Sequence, residues 1–264
     1  MNKYRYNDTN GVHLHLWNEQ PLTGCTSILD VLGKNLTWWA AGMAVSTLGW
    51  TNSKTMPPEQ RLQAAGIALD EIKSLDDTEY LKKLDKAYRA HFEAKNDAAE
   101  KGTDRHALVE KWVKECMKEH TLVVRGDDEI APFITWAQDN VKEFLWSEGY
   151  VCDESPDRFI GGISDIGAIM KDGSIAIIDI KSSKEAYFSQ FVQIGGYDLM
   201  VQHSGIMDAN GNQILKLDKP ITKHIIFPFG MKVPTGIVKE NVEENRQAFL
   251  HCLSLYRIKS SFEK

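Results

Sequence analysis

The sequence predicts a mixed α/β fold from two observations. Between residues 130 and 264, a helical pattern is followed by strands, a second helical pattern and a further strand, an order typical of helices layered on a sheet. With 264 residues and 42% hydrophobic content, the chain can bury a full core. We therefore expect one elaborated domain, with an N-terminal flanking segment (1–54), a helical region (55–125) and the core (130–264).

The flanking segment is expected to contain a short strand or hairpin around residues 13–17. A helix is predicted to begin near Thr26 or Ser27, because both are favourable N-cap residues. A second helix should carry Trp38 and Trp39, whose spacing favours core or flanking positions against the sheet.

The helical region begins after the break at Pro57 and Pro58 and is expected to continue to about His120. Thr103 is a plausible N-cap, which would place His106 and Glu110 one turn apart on one helix face. A neutral imidazole there can bind a metal, although a lone histidine on a helix is more often a surface residue. Glu110 could support a site or simply pair along the helix.

The core should contain several elements in a regular order. These are a helix from Ala131 to about Trp146, a strand at residues 150–152, a β-hairpin, a helix from about Lys184 to Gln202, strands at 224–229 and around 236–238, and a helix at about 242–259. Ser182 and Ser183 could cap the middle helix. On that helix, Gln190, Gln193 and Tyr197 follow one stripe, which predicts either a functional edge or a polar edge packed on the sheet.

The hairpin is the most informative part of the core. Two β-branched runs flank the connection Lys171-Asp172-Gly173, in which glycine suits a left-handed conformation. A turn centred on Asp172 would place Asp165 directly opposite Asp179, with about 4.5 to 5.5 Å between their Cβ atoms. Lys181 lies two residues further on, so it should project from the same face.

Two carboxylates placed in this way repel each other unless a cation lies between them. Hard oxygen ligands suit Mg²⁺ or Mn²⁺, which also accept phosphate oxygens. Lys181 could then orient a water molecule or stabilise charge on phosphorus, a combination suited to phosphodiester hydrolysis. The alternative is an ordinary solvated hairpin face.

Asp165, Asp179 and Lys181 resemble the signature of the PD-(D/E)XK nuclease superfamily. The segment Gly102-Thr-Asp-Arg-His106-Ala-Leu-Val-Glu110 and the segment Gln193-Ile-Gly-Gly-Tyr197 resemble the upstream and downstream helices of its RecB-type exonuclease branch. Two residues depart from the pattern. Asp179 stands where glutamate is common, and Ser164 stands where proline precedes the first acid.

The resemblance implies a restriction-endonuclease-like mixed sheet flanked by helices, here with an added N-terminal helical region. It implies a Mg²⁺- or Mn²⁺-dependent deoxyribonuclease, with Lys181, Gln193 and Tyr197 acting beside the acids. The metal ligands would be His106, Glu148, Asp165, Asp179 and the carbonyl of Ile180. Glu148 is expected at the junction of a helix and the first core strand, where related nucleases carry an acid, although a glutamate before glycine at a helix end is also a common surface feature.

The implied setting is the processing of DNA ends in recombination, repair or degradation by phage or bacterial enzymes, with a recombination or replication protein as a partner. An endonuclease, or a non-catalytic DNA-binding or scaffold protein with the same fold, is the alternative. The net charge of −6 argues against a nucleic-acid partner, so binding would depend on a local patch and on metal ions.

Localisation and other cofactors are inferred from what the sequence lacks. Four dispersed cysteines favour a reducing cytoplasm, and one late cysteine, Cys252, is too few for the iron-sulfur cluster of some relatives. We expect no signal peptide, and the most apolar window is too short to cross a membrane.

Overall fold

A computed structural model describes residues 3–9, 12–33, 37–50 and 56–263. The chain divides into a larger unit, Met1–Gly33 with Gly102–Lys264, and a smaller unit, Lys34–Lys101. The boundary predicted at residues 54 and 55 lies outside the described residues, and the single domain stays a prediction. None of the described helices has an apolar stretch long enough to cross a membrane.

The N-terminal part of the larger unit is a small antiparallel sheet followed by two short helical turns. The pairing β1-β2-β3 confirms the predicted hairpin, since β1 runs alongside β2 over its whole length. The elements are β1 (Tyr4–Thr9), β2 (Val12–Trp17), β3 (Gln20–Pro21), β4 (Thr23–Gly24), α1 (Cys25–Ile28) and a 3-10 turn at Leu29–Leu32.

The smaller unit is helical, as predicted. It contains α2 (Thr37–Thr47), α3 (Pro58–Lys73) and the first part of α4 (Asp77–Glu119), which continues into the larger unit. Because α4 runs without a break through Thr103, the N-cap predicted at that residue is wrong. Trp38 is 84% exposed, so it is not a core residue.

The remainder of the larger unit forms an eight-stranded mixed sheet with helices, which confirms the mixed α/β class. The strand order is β11-β10-β7-β6-β5-β8-β9, with β4 added in parallel to β6. Strands β7 and β10 are also parallel, and α6 lies in the crossover between them. The elements are α5 (Ala131–Asn140), β5 (Val141–Asp153), β6 (Ile160–Met170), β7 (Ile175–Lys181), α6 (Phe188–Ser204), β8 (Ile206–Met207), β9 (Gln213–Leu215), β10 (Lys223–Pro228), β11 (Ile237–Lys239) and α7 (Val242–Phe262).

Two hydrophobic clusters hold the helices to the sheet. In one, Trp112 of α4 and Phe133 of α5 pack with sheet residues that include Ile178. In the other, residues of α6 and α7 pack with Ile177 and Trp146. Adjacent residues of β7 therefore enter different clusters, which is the alternation expected of a strand buried on both faces.

The predicted register of the hairpin is confirmed. Ile169 pairs with Ile175 and Ile166 pairs with Ile178, around a turn in which Gly173 has a φ of 87°. The pairing ends one residue before Asp165 and Asp179, so their direct opposition stays a prediction. The β-branched runs and the turn glycine were sufficient to fix this feature locally.

The predicted boundary between helix and strand before the hairpin is wrong. The helix that begins at Ala131 ends at Asn140, and residues 141–153 form a long strand with two irregularities. Trp146 explains part of the difference, because its ring covers Gly167 of β6, where an added Cβ would lie 2.1 Å from the ring. This packing requires the segment around Trp146 to lie beside β6 as a strand.

The start of α6 also differs from the prediction. The helix begins at Phe188 rather than near Lys184, and the N–H of Tyr187 donates to Gln190 Oε1 at 2.8 Å. Ser182 and Ser183 therefore lie in the connection before it. The two glycines of α6 allow close packing on α7, since an added Cβ at Gly195 would lie 2.3 Å from the carbonyl oxygen of Asn245.

Candidate metal centre

Three acidic residues occupy matching positions on neighbouring strands. Ser147 pairs with Ile166 and Gly149 pairs with Ser164, so Glu148 of β5 lies opposite Asp165 of β6. The pairing of β6 with β7 ends at Ile166 and Ile178, so Asp179 of β7 lies one residue beyond the last pair, as Asp165 does on β6. A row of opposed acids is unfavourable without a cation, so their convergence needs a chemical reason.

His106 of α4 completes a group of potential ligands with two of these acids. One ligand atom from each of His106, Glu148 and Asp165 lies within 4.8 Å of the others. His106 Nδ1 is 3.7 Å from Asp165 Oδ2. Asp179 is not part of this set of three. Imidazole and carboxylate donors can together hold a divalent cation.

Asp165 is oriented by the backbone of β7. The N–H of Ile180 donates a hydrogen bond to Asp165 Oδ2 at 2.9 Å. In a regular hairpin this N–H would pair with the β6 backbone, but the paired residues end at Ile166 and Ile178. The carboxylate therefore takes the place of a backbone acceptor where the two strands separate. The proposed role of the Ile180 carbonyl as a ligand stays a prediction.

Asp179 is buried beside Lys181. Its side chain is 1% exposed, and Lys181 Nζ is 2.5 Å from Asp179 Oδ2. Even so, neither carboxylate oxygen accepts a well-directed hydrogen bond from the described residues. Burial raises the pKa of Asp179 to about 7, with Lys181 opposing the rise and Asp165 adding to it. Burial alone would lower the pKa of Lys181, but the charges of Asp179 and Asp165 outweigh burial and raise it.

Glu148 lies within β5, so the predicted position at a helix end is wrong. Its φ of 54° is unusual for a residue other than glycine and marks local backbone strain. Burial, together with the charges of Asp165 and Glu110, raises its pKa to about 8. Glu110 itself forms an ion pair with Lys114 along α4, which is the helix pairing considered from the sequence.

The donor set fits a hard divalent cation. It offers carboxylates and one imidazole, and the unbonded oxygens of buried Asp179 are the kind of group that a cation satisfies. Burial is the main cause of the raised pKa values of Glu148 and Asp179, and a bound cation would offset the cost of their buried charges.

The two predicted residues of α6 contact each other. Gln193 Nε2 donates to the Tyr197 hydroxyl at 2.8 Å, and both side chains are buried. Burial raises the pKa of Tyr197, and the charges of Cys25, Asp179 and Asp165 add to the rise. Gln190 is occupied elsewhere, at the start of α6.

Sequence analysis missed an aromatic group next to the centre. Tyr150 follows Glu148 by two residues on β5, and its ring centroid is 5.0 Å from that of Tyr6 on β1. Tyr6 also stacks on His13 of β2. The alternation Tyr4-Arg-Tyr6 and His13-Leu-His15 was a visible signal of one aromatic strand face, but it did not reveal what that face contacts.

The fold and the site together define a class, an α/β protein with a candidate divalent-metal centre at the separation of two central strands. Comparisons with protein-family models and with curated proteins find no match for this chain. Function must therefore be argued from the geometry of the centre and from the motif resemblance.

Proposed function

We propose that the protein is a metal-dependent nuclease that hydrolyses DNA phosphodiester bonds, with a restriction-endonuclease-like core. The observation that carries the proposal is the row Glu148, Asp165 and Asp179 on three adjacent strands, with Lys181 beside it. An unsatisfied buried acid and an adjacent ammonium are costly as purely structural features. They are useful where a phosphate and a cation must be bound together.

The residues can be given distinct roles. His106, Glu148, Asp165 and Asp179 would hold Mg²⁺ or Mn²⁺, which when bound supplies charge neutralisation and a more acidic water. Lys181 would place a positive charge beside the phosphate and stabilise the charge that develops on its oxygens. Gln193 and Tyr197 would position polar groups next to Asp179, with the Gln193 amide fixed by the Tyr197 hydroxyl.

We further propose that the protein is an exonuclease acting in the cytoplasm in recombination, repair or degradation of DNA, with a recombination or replication protein as a partner. The support for this is the resemblance of the His106 and Gln193–Tyr197 segments to the RecB-type branch. An endonuclease shares the same chemistry, and a non-catalytic DNA-binding protein shares the same fold, so both are outcomes of the test.

The test is degradation of end-labelled linear single- and double-stranded DNA with Mg²⁺, with Mn²⁺ and with EDTA. We expect metal-dependent loss of label that disappears in Lys181→Ala. Lys171→Ala is the matched control, because Lys171 lies in the exposed turn at the opposite end of the hairpin. Cutting of circular single strands would identify an endonuclease, and DNA binding without any cleavage would identify the non-catalytic alternative.

A further inference from the structure

A cavity of about 510 Å³ is lined in part by β6 and α6, the elements that carry Asp165 and the Gln193–Tyr197 pair. Its walls come from β2, the β4–α1 segment, β6, α6 and α7, all within the larger unit. The volume is in the range typical of small-ligand sites, about 300 to 1,000 Å³. Neither the sequence motifs nor the proposed metal ligands account for it.

Two residues connect this cavity to the centre. Ile163 lines it and precedes Asp165 by two residues on β6. Tyr197 also lines it, and its hydroxyl accepts the hydrogen bond from Gln193. The cavity is therefore about 7 Å along β6 from Asp165, a separation that a single nucleotide can span.

The chemistry of the walls suits a neutral polar group. Hydroxyls come from Thr23, Thr26, Ser27, Tyr197 and Tyr256, and none of the described lining residues is Lys, Arg, Asp or Glu. His15 also lines the cavity, where burial lowers its pKa to about 4 and keeps the imidazole neutral. A phosphate would find no cationic partner in these walls, whereas the sugar and base of a nucleoside would find hydroxyl and imidazole partners.

His13 supplies an aromatic surface to the cavity. Its side chain is 62% exposed, and its Nδ1 lies 2.5 Å from the Tyr6 hydroxyl. The Tyr6 and His13 rings are nearly parallel, at 10°, with centroids 6.1 Å apart. The imidazole is therefore held in place before any ligand arrives, which lowers the entropy cost of stacking on it.

We infer that this cavity binds the unpaired nucleoside next to the scissile phosphate, with His13 as its stacking surface. The inference rests on the proposed nuclease function and narrows its substrate to single-stranded DNA or frayed ends. A base inside a duplex would first have to leave its stack, which costs a few kcal/mol. His13 is thus a positioning and specificity residue rather than a catalytic one.

The experiment uses the full chain and a labelled single strand with one abasic residue at an internal position. Products are separated at nucleotide resolution, so cleavage at every phosphate is measured in one reaction. Stacking of one base contributes about 1 to 3 kcal/mol, so we expect wild-type cleavage to fall about tenfold at the phosphate next to the abasic residue. His13→Ala should lower cleavage about tenfold at ordinary positions. Its cleavage next to the abasic residue should then equal its cleavage elsewhere.

The matched control is His251→Ala, since His251 is an exposed residue of α7 outside the cavity lining. This variant should still show the reduced cleavage next to the abasic residue. Equal cleavage by the wild type at all phosphates, including those next to the abasic residue, would overturn the inference but not the proposed nuclease function. This outcome is measured on the wild type, so it does not depend on the folding of any variant. Reduced cleavage next to the abasic residue in folded His13→Ala would overturn the role of His13. Absence of metal-dependent cleavage on every substrate would overturn the proposed function and this inference with it.

Discussion

Two buried aspartates in the same unit are treated very differently by the fold. Asp198 of α6 is fully buried and accepts hydrogen bonds from Arg246 Nε at 2.8 Å and Gln202 Nε2 at 2.7 Å, with His224 Nε2 at 2.9 Å. Asp179 of β7 is equally buried, but Lys181 is its one close charged partner among the described residues, and no well-directed hydrogen bond reaches it.

The difference is between an acid whose charge the protein satisfies with several partners and one that has few. Burying a charge is costly unless partners satisfy it, and the partners of Asp198 tie α6 to β10 and α7. Asp179 instead has a raised pKa, because burial disfavours its charged form and Asp165 adds to the rise, while Lys181 offsets only part of it. An acid that the fold leaves incompletely compensated is suited to bind a cation from outside.

The largest expected effect is the loss of activity in Asp179→Asn. Cleavage of labelled DNA should fall by at least about 1,000-fold, since one of the proposed ligands of the cation is removed. Stability in urea should change little, because Lys181 is 24% exposed and keeps access to solvent. Asp172→Asn is the matched control, an acid in the exposed turn of the same hairpin, and should retain activity. Full activity of Asp179→Asn would contradict the proposed role of Asp179 in binding the cation.

Asp198→Ala should show the opposite behaviour. We expect the free energy of unfolding to fall by about 3 kcal/mol, because buried His224 and mostly buried Arg246 would lose their acid. Metal affinity, measured by calorimetry under folded conditions, should not change. A loss of stability below about 1 kcal/mol in urea denaturation would contradict a structural role for Asp198.

The pH dependence of metal binding tests whether Glu148 and Asp179 bind the cation. The pKa values of Glu148 and Asp179 are raised to about 8 and about 7, so both carboxyls hold protons below these pH values. A cation must displace those protons, so Mn²⁺ affinity should increase with pH by about tenfold per unit for each proton released. Calorimetry from about pH 6 to about pH 8 measures this slope.

Glu148→Gln should weaken Mn²⁺ binding and make its pH dependence less steep, because one of the displaced protons is gone. Glu154→Gln is the control, since Glu154 pairs with His203 away from the donor set. Equal slopes for the wild type and Glu148→Gln would mean that Glu148 does not bind the cation.

The sequence predicted the hairpin register and the helix spacing correctly, but it did not predict the boundary between α5 and β5. The turn at Gly173 and the β-branched runs fix the hairpin register, and the spacing of Gln193 and Tyr197 on one helix brings their side chains into contact. Glu148 was selected for its chemistry but placed at a helix end, because the segment before it has a helical pattern. Packing of Trp146 over Gly167 overrides that preference.

The mixed α/β class, the hairpin register around Gly173 and the position of Lys181 two residues after Asp179 on β7 follow from the sequence, because each depends on short-range periodicity. Tertiary packing brings His106 to Asp165, Glu148 to a position opposite Asp165, and the His13 hairpin to the cavity that Ile163 also lines. These contacts join residues far apart in the chain, and their geometry depends on how strands and helices pack rather than on any local preference.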